Sequence, residues 1–436
     1  MTFPLTLIFM FLVFWRPQEW LFPGMYGWPF LDVVTYAALI SLAFESAQSK
    51  TVLPKTPAIM LAAGLFFSSI MSHVAHGYFQ GMMDTIPQTF KLCFFLVLLL
   101  VVTNSIRRLQ WVIFVLLAGA CLMAIHAILQ ERTGVGFAGA IPIRYYYEFK
   151  ERWVQQSLFF GIFSDPNDLG QFLATCMPLA FAFTKRFNFV TFTLATGLAW
   201  LFAYGMLTTE SRGTLIGVMA SVACILFFTL PVKSLPYVGV LTLVGGLLGC
   251  AFLGGALLDG SARERVMYWG EANLYFKSHL LFGGGYSMFG EITGTSKAAH
   301  NAFVLCYTEL GLFGYWFWFN MLTLGIIGCW RTRVAFRKPK TPEQAYLKRA
   351  AGMSIAAMMG FATSAYFLSR AYVFPLFFLF AMLASIPVIA RRYLPEGYPP
   401  LMDWRKDVLL TGTVSSLISV VYVYITILLL NSAYGG

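Results

Sequence analysis

The stretch His300–Trp330, HNAFVLCYTELGLFGYWFWFNMLTLGIIGCW, decides the class of fold. A membrane-spanning helix needs roughly 20 mostly apolar residues. This run is longer than that and almost free of charge. It opens on a polar His-Asn pair and is followed by the basic run that begins at Arg331. Comparable apolar runs lie near 2–15, 29–44, 58–76, 88–104, 109–129, 168–185, 189–207, 214–230, 235–258, 350–368, 371–389 and 408–430. The expectation is an all-α integral membrane protein with about 12–13 transmembrane helices.

Composition agrees. The 436 residues are 58% hydrophobic and only 11% charged, where soluble domains carry about 25% charged residues. That is too little charge to cover a water-facing surface. No soluble domain, low-complexity tract or internal repeat interrupts the chain, so 1–436 reads as a single polytopic membrane domain. The N-terminal run lacks a basic leader and a small-residue cleavage site, and reads as an uncleaved first span. The seven cysteines all fall inside apolar segments with no CxxC pair, as small hydrophobes do, which argues against a disulfide framework or a zinc site.

The net charge of +11 is a topology signal rather than a nucleic-acid footprint. With a cytoplasmic N-terminus, the inner loops hold Lys50, Lys55, Arg107, Arg108, Lys185, Arg186, Lys233, the seven basic residues from Arg331 to Arg349, and Arg391, Arg392, Arg405 and Lys406. These are 18 of the 30 basic residues. Two long loops, 130–167 and 259–299, then face outward. They keep Arg132, Arg144, Lys150, Arg152, Arg263, Arg265, Lys277 and Lys297. Either those charges have work there, or long loops simply tolerate them.

Of five histidines, His73, His76 and His126 lie in or at the ends of spans, and His279 lies in the second loop. None has a metal-site spacing. His300 stands where the second loop enters its span, at a helix N-terminus whose dipole disfavours a protonated imidazole. Neighbouring arginines act in the same direction, and a neutral imidazole can take up a proton as a general base must. A capping or interfacial histidine is the plain alternative. Asn301 beside it suits a helix start. Arg212, in TTESRGTLIG, sits at an outer turn where a helix begins, as an anion contact, an ion pair with Glu210 or a snorkelling side chain. Residues 262–277, with Arg263 and Arg265, read as an interfacial helix laying Val266, Trp269, Leu274 and Phe276 on the bilayer.

Other features read more simply. Gly311 and Gly314 suggest close helix packing. Gly283–Gly285 allow a sharp return or a mobile segment. Asp165-Pro166-Asn167-Asp168 reads as a capping turn in preference to a catalytic carboxylate pair. Tyr145, Tyr146 and Tyr147 suit either sugar stacking or an aromatic belt. Together, arginines from separate outer loops gather around one histidine at the level of lipid phosphates. That suits an anionic, lipid-linked substrate such as a pyrophosphate.

The run His300-Asn301, nine residues, then Gly311-Leu312-Phe313-Gly314 resembles the signature of the O-antigen ligase and polymerase superfamily. Ser211-Arg212-Gly213 and an arginine ahead of the histidine, Arg265 or Arg263, match it too, and the SDPNDLG segment resembles an exosortase-associated, ligase-like subset. The resemblance implies a GT-C-like glycosyltransferase of the bacterial inner membrane. Its large periplasmic loop would carry short interfacial helices, and its active site would face the periplasm. It implies an inverting transfer with no cofactor and no metal, from an undecaprenyl pyrophosphate-linked glycan to a sugar hydroxyl of lipid A–core. His300 would activate the acceptor, and Arg212 and Arg265, or Arg263, would hold the pyrophosphate. Arg144, Arg152 and Asn301 are further candidate substrate contacts. Membrane lipids are the remaining partners, nucleic acid is not expected, and the expected state is a monomer. A polymerase with the same donor is the nearest rival. A transporter is a weaker one, because transporters place polar groups near the midplane.

Overall fold

A computed structural model of the chain describes residues 1–48, 53–147, 152–185, 188–231, 260–295 and 297–434. Its helices are α1 (Thr2–Trp15), α2 (Pro17–Trp20), α3 (Phe30–Ala47), α4 (Ala58–Val74), α5 (Phe79–Val102), α6 (Ile106–Thr133), α7 (Pro166–Ala180) and α8 (Phe189–Leu207). They continue with α9 (Arg212–Thr229), α10 (Gly260–Ser278), α11 (Phe289–Thr293), α12 (Ala302–Ala335), α13 (Pro342–Ala365), α14 (Phe374–Ala390) and α15 (Thr413–Tyr434). A helix stands at every span read from the sequence except 235–258, which lies outside the described residues, as do Lys50, Lys150, Arg186 and Lys233.

Among the described residues, eight helical segments are long and apolar enough to cross a membrane. The helices α1 and α4 are apolar but shorter, and α7, of 15 residues, and α13, of 24, fall short in apolarity. Position explains the last two. The helix α13 packs against α7, α9 and α12, and nearly every residue of α7 is buried. A helix walled by protein need not be greasy all round. By contrast α3, α8, α9 and α15 leave most of their surface outside the bundle, where apolar side chains suit lipid.

The contacts between helix ends divide into two groups. At one end, Arg331 forks onto the buried Asp407 (2.7 and 2.6 Å), and Arg333 donates to the carbonyls of Lys348 and Phe228. A nine-residue π-helical stretch, Trp404–Gly412, presents Asp407 there. At the other end meet the turns that hold His76, Asp165–Asp168, Ser211, Gly283, His300 and Arg370.

Loop 130–167 is more structured than expected. Strands β1 (Ile143–Tyr147) and β2 (Arg152–Gln156) form an antiparallel hairpin in which Tyr146 faces Trp153. Ser157 after it donates its N–H to the Thr208 carbonyl and its hydroxyl to the Ala127 carbonyl, tying the hairpin to α8 and α6.

The long helix α12 is broken. Gly311 has φ 64° and ψ −170°, so the segment 302–310 leaves the line of the rest. At 1.5 Å per residue, the 24 residues from Leu312 to Ala335 already span roughly 36 Å, enough for a bilayer core of about 30 Å. The first nine residues are surplus to the crossing and sit buried in the protein. Around the break, four backbone groups of α12 bond to the glycine loop and the residues just before it. Gly284 and Gly285 donate to the carbonyls of Thr308 and Glu309, while Leu312 and Phe313 donate to those of Leu280 and Leu281. An apolar setting favours such an exchange. Gly283–Gly285 are therefore a backbone seam, not a mobile return. Imidazoles of α4 and of the turn after it hold the seam from behind, His73 on the Tyr286 carbonyl (3.1 Å) and His76 on that of Gly283 (2.6 Å).

Candidate active site

His300 ends the loop that precedes α12, and its neighbours pin it on both sides. Asn301 is the N-cap, its Oδ1 accepting from the N–H groups of Phe303 and Val304 (2.9 and 3.1 Å). The Ala299 carbonyl accepts from Trp269 Nε1 at 2.5 Å. His300 itself has φ 50°, a left-handed conformation uncommon for residues other than glycine. Its N–H donates to Ser369 Oγ at 2.6 Å. A conformation of this kind persists where the surroundings over-determine it, and such residues gather at functional sites.

The helix α10 lies across this loop. Trp269, Ala272, Asn273 and Phe276 are buried, and their 3–4 spacing makes one face. That face packs on protein. Phe276 meets the Tyr307 ring at 4.6 Å, and Asn273 bonds both Tyr307 and the Tyr424 carbonyl. The expectation that Trp269 and Phe276 would lie on the bilayer is therefore corrected. The helix has α12 and α15 beneath it, and Leu274, 70% exposed, points away from them. Lys297 pairs with Glu264 and fastens the loop to the start of α10.

This seating separates the two loop arginines. Residues two apart on a helix point in nearly opposite directions. Arg263 is exposed and Arg265 half-buried. Arg265 is the charge that acts most strongly on the His300 imidazole. Burial above all, then Arg265, with Arg370 and Lys297 adding and Asp165 opposing, hold that imidazole down at about 4. At neutral pH it is an unprotonated base.

A second segment arrives from the start of α7. Asp165 caps α7 by accepting from the Asn167 N–H, as read from the sequence. Asp168 has a different task, taking a two-pronged contact from Nε and Nη2 of Arg370. Asn167 Oδ1 accepts from Ser211 Oγ (2.7 Å), which also bonds Thr214. Ser211 precedes Arg212, the half-buried first residue of α9. Gly213 abuts Phe367 so closely that a Cβ there would lie 2.7 Å from the Phe367 Cβ. The SRG and SDPND turns thus join the 366–373 turn, which reaches His300 through Ser369.

Not every candidate joins this group. Arg144 donates to Gln155 across the hairpin (3.1 Å), and the backbone of Arg152 stands in β2 opposite Tyr147. Asn301 is 0% exposed; its oxygen is spent on the cap, and its Nδ2 is buried without a hydrogen-bond partner among the described residues. Sequence reasoning missed Ser369 and Arg370. Arg370 was visible as a lone charge between two apolar runs, a signal that points to function in a membrane protein, but its partner lies 202 residues away. Among the described residues, no group of three or more His, Cys, Asp or Glu side chains is placed to hold a metal ion.

Residues 197–319 match the family described as O-antigen ligase. The match includes Arg212, Arg265 and His300 and supports the O-antigen ligase and polymerase superfamily, whose members are glycosyltransferase-like. With its apolar helices it supports a multi-pass membrane protein of ligase or polymerase type. No curated protein matches the chain.

Proposed function

We propose that the chain is an O-antigen ligase of the bacterial inner membrane, moving a glycan from undecaprenyl pyrophosphate to a sugar hydroxyl of lipid A–core at the periplasmic face. The observation that carries this reading is a neutral imidazole, His300, set beside Arg265 within the region that matches the family. The acceptor hydroxyl gives its proton to His300 as its oxygen bonds the anomeric carbon. The bond from that carbon to the pyrophosphate breaks, and the electron pair leaves with the phosphate oxygen. Attack opposite the leaving group inverts the carbon. Arg212 and Arg265 hold the pyrophosphate, which leaves without needing a proton. The step asks for a base and positive charge, and for no metal.

The cations that hold His300 neutral are also suited to bind the donor. A bound pyrophosphate offsets their field, so the imidazole becomes more basic once the donor is in place. The acid limb of kcat/KM reports the free enzyme and that of kcat the complex. Because a lowered histidine pKa keeps the base active as pH falls, the limb of kcat/KM should lie near pH 4, and that of kcat higher. Arg265→Gln should raise the first limb and lower kcat/KM by roughly 10- to 100-fold, the worth of one charge-assisted hydrogen bond. Arg263→Ala should stay within about threefold. A wild-type limb of kcat/KM at the ordinary value of 6.5 would contradict this account.

The test of function is transfer by the purified protein in nanodiscs, from defined lipid-linked glycan to lipid A–core. Loss of transfer in chelator would end the metal-free reading. In cells, deletion should leave lipid-linked polymer unattached; single repeats on the core would identify a polymerase instead.

A further inference from the structure

We propose that Arg370 is a third phosphate-binding guanidinium of this site, set in place by Asp168, on a turn whose Ser369 fixes the shape of His300. The proposal rests on the pyrophosphate-transfer reading above. Asp168, Ser369 and Arg370 all lie outside the region matched by the family.

Three observations point the same way. The first is the geometry of the pair. Asp168 is 6% exposed and Arg370 33%. Asp168 takes Nε and Nη2, which is two of the five N–H donors of a guanidinium. Among the described residues, no acceptor for the other donors is seen. A pair built only for stability is a poor use of a buried carboxylate, since desolvation offsets much of the attraction. A carboxylate that fixes one edge of a partly open guanidinium presents the other edge in a set orientation.

The second observation is adjacency. Ser369 and Arg370 are neighbours in the chain. Ser369 holds the His300 N–H, and the Arg370 charge acts on the His300 imidazole, as that of Arg265 does. The guanidinium therefore lies within electrostatic reach of the base, on the turn that holds its backbone. The third is the link to Arg212. Asn167, next to Asp168, bonds Ser211, and Phe367 lies against Gly213. Arg212, Arg265 and Arg370 come from α9, α10 and the 366–373 turn, and all three segments converge on one end of the bundle.

The chemistry has a use for it. As the bond to the anomeric carbon breaks, the electron pair settles on the departing phosphate oxygen and its negative charge grows. A fixed cation aimed at developing charge favours the transition state without reorganising. Arginine offers two parallel donors to phosphate, which lysine does not. Asp168 touches no reacting atom and is a positioning residue.

The experiment uses the full-length protein in nanodiscs with geranylgeranyl pyrophosphate as the binding probe, alongside donor and acceptor KM. Arg370→Lys keeps the charge and removes the fork. It should weaken probe binding and raise donor KM at least tenfold, with acceptor KM unmoved and the melting temperature near wild type. The exchange Asp168→Arg with Arg370→Asp restores an ion pair but turns a carboxylate toward the donor. It should fold and bind no probe. Probe binding by Arg370→Lys within twofold of wild type, or transfer restored by the exchange, would overturn the proposal. If the exchanged protein does not fold, the lysine variant decides. Normal transfer by His300→Ala would instead sink the underlying reading, leaving the probe result to stand or fall separately.

Discussion

His300→Ala is expected to lower the rate of glycan transfer about a thousandfold while leaving geranylgeranyl pyrophosphate binding within a few-fold of wild type. A positioned general base contributes roughly 10²- to 10⁴-fold. The phosphate-binding guanidiniums remain in the variant, so binding should survive. The left-handed backbone at this position complicates a single substitution, because alanine is less at ease there than histidine. Asparagine tolerates that conformation, and the bond to Ser369 uses only the backbone N–H. His300→Asn should therefore melt near wild type and be as slow as the alanine variant. The measurement is single-turnover transfer at saturating donor and acceptor. Turnover within tenfold of wild type in His300→Asn would show that another group takes the proton. The loss in kcat/KM, which reports the free enzyme, should be similar across pH 6 to 8, because the free enzyme's imidazole is already neutral throughout that range.

The spans were legible because lipid imposes one rule on every exposed segment: satisfy the backbone internally and present apolar side chains. That rule is local, so a run such as Phe374–Ala390 declares itself. The polar end of the bundle obeys no local rule. Arg265 and Arg263 look alike in the sequence, and only the buried face of α10, with Trp269 bonded to Ala299, distinguishes them. Asp168 looked like a cap because its neighbour Asp165 is one. Its bond to Arg370 depends on the packing of α7 against α13, which no window of sequence contains. The aromatic positions of α10 failed for the same reason. Amphipathicity says that a helix has a face to bury, not whether lipid or protein covers it.

Gly311 and Gly314 show the same limit within one motif. The helix-packing reading suits Gly314, whose Cβ would meet the Ser68 hydroxyl of α4 and the Leu310 side chain. Gly311 does something else, and no spacing rule reveals it. Its substitution carries the other large expected effect. At φ 64° and ψ −170° it occupies a region essentially reserved for glycine, and a Cβ there would press on the Leu281 carbonyl and the Gly283 nitrogen. Those are backbone atoms of the seam and cannot swing aside. Relief requires 302–310 to rejoin the helix, which withdraws Thr308 and Glu309 carbonyls from Gly284 and Gly285 and strands the Leu280 and Leu281 carbonyls. Each group left unpaired away from water costs several kcal/mol. Gly311→Leu should therefore destabilise by more than about 4 kcal/mol, in the range reserved for broken networks and strained backbones, and yield little folded protein. Gly314→Ala has side chains to push and should cost about 1–3 kcal/mol. Size-exclusion profiles and melting temperatures in detergent would read both. If Gly311→Leu melts within a few degrees of wild type, the seam is dispensable. If it also transfers glycan normally, His300 does not depend on the angle at which 302–310 leaves the helix. The break matters because that angle delivers the start of α12 to Ser369 and lays it under α10. A straight helix of 34 residues would run roughly 51 Å and carry His300 past both.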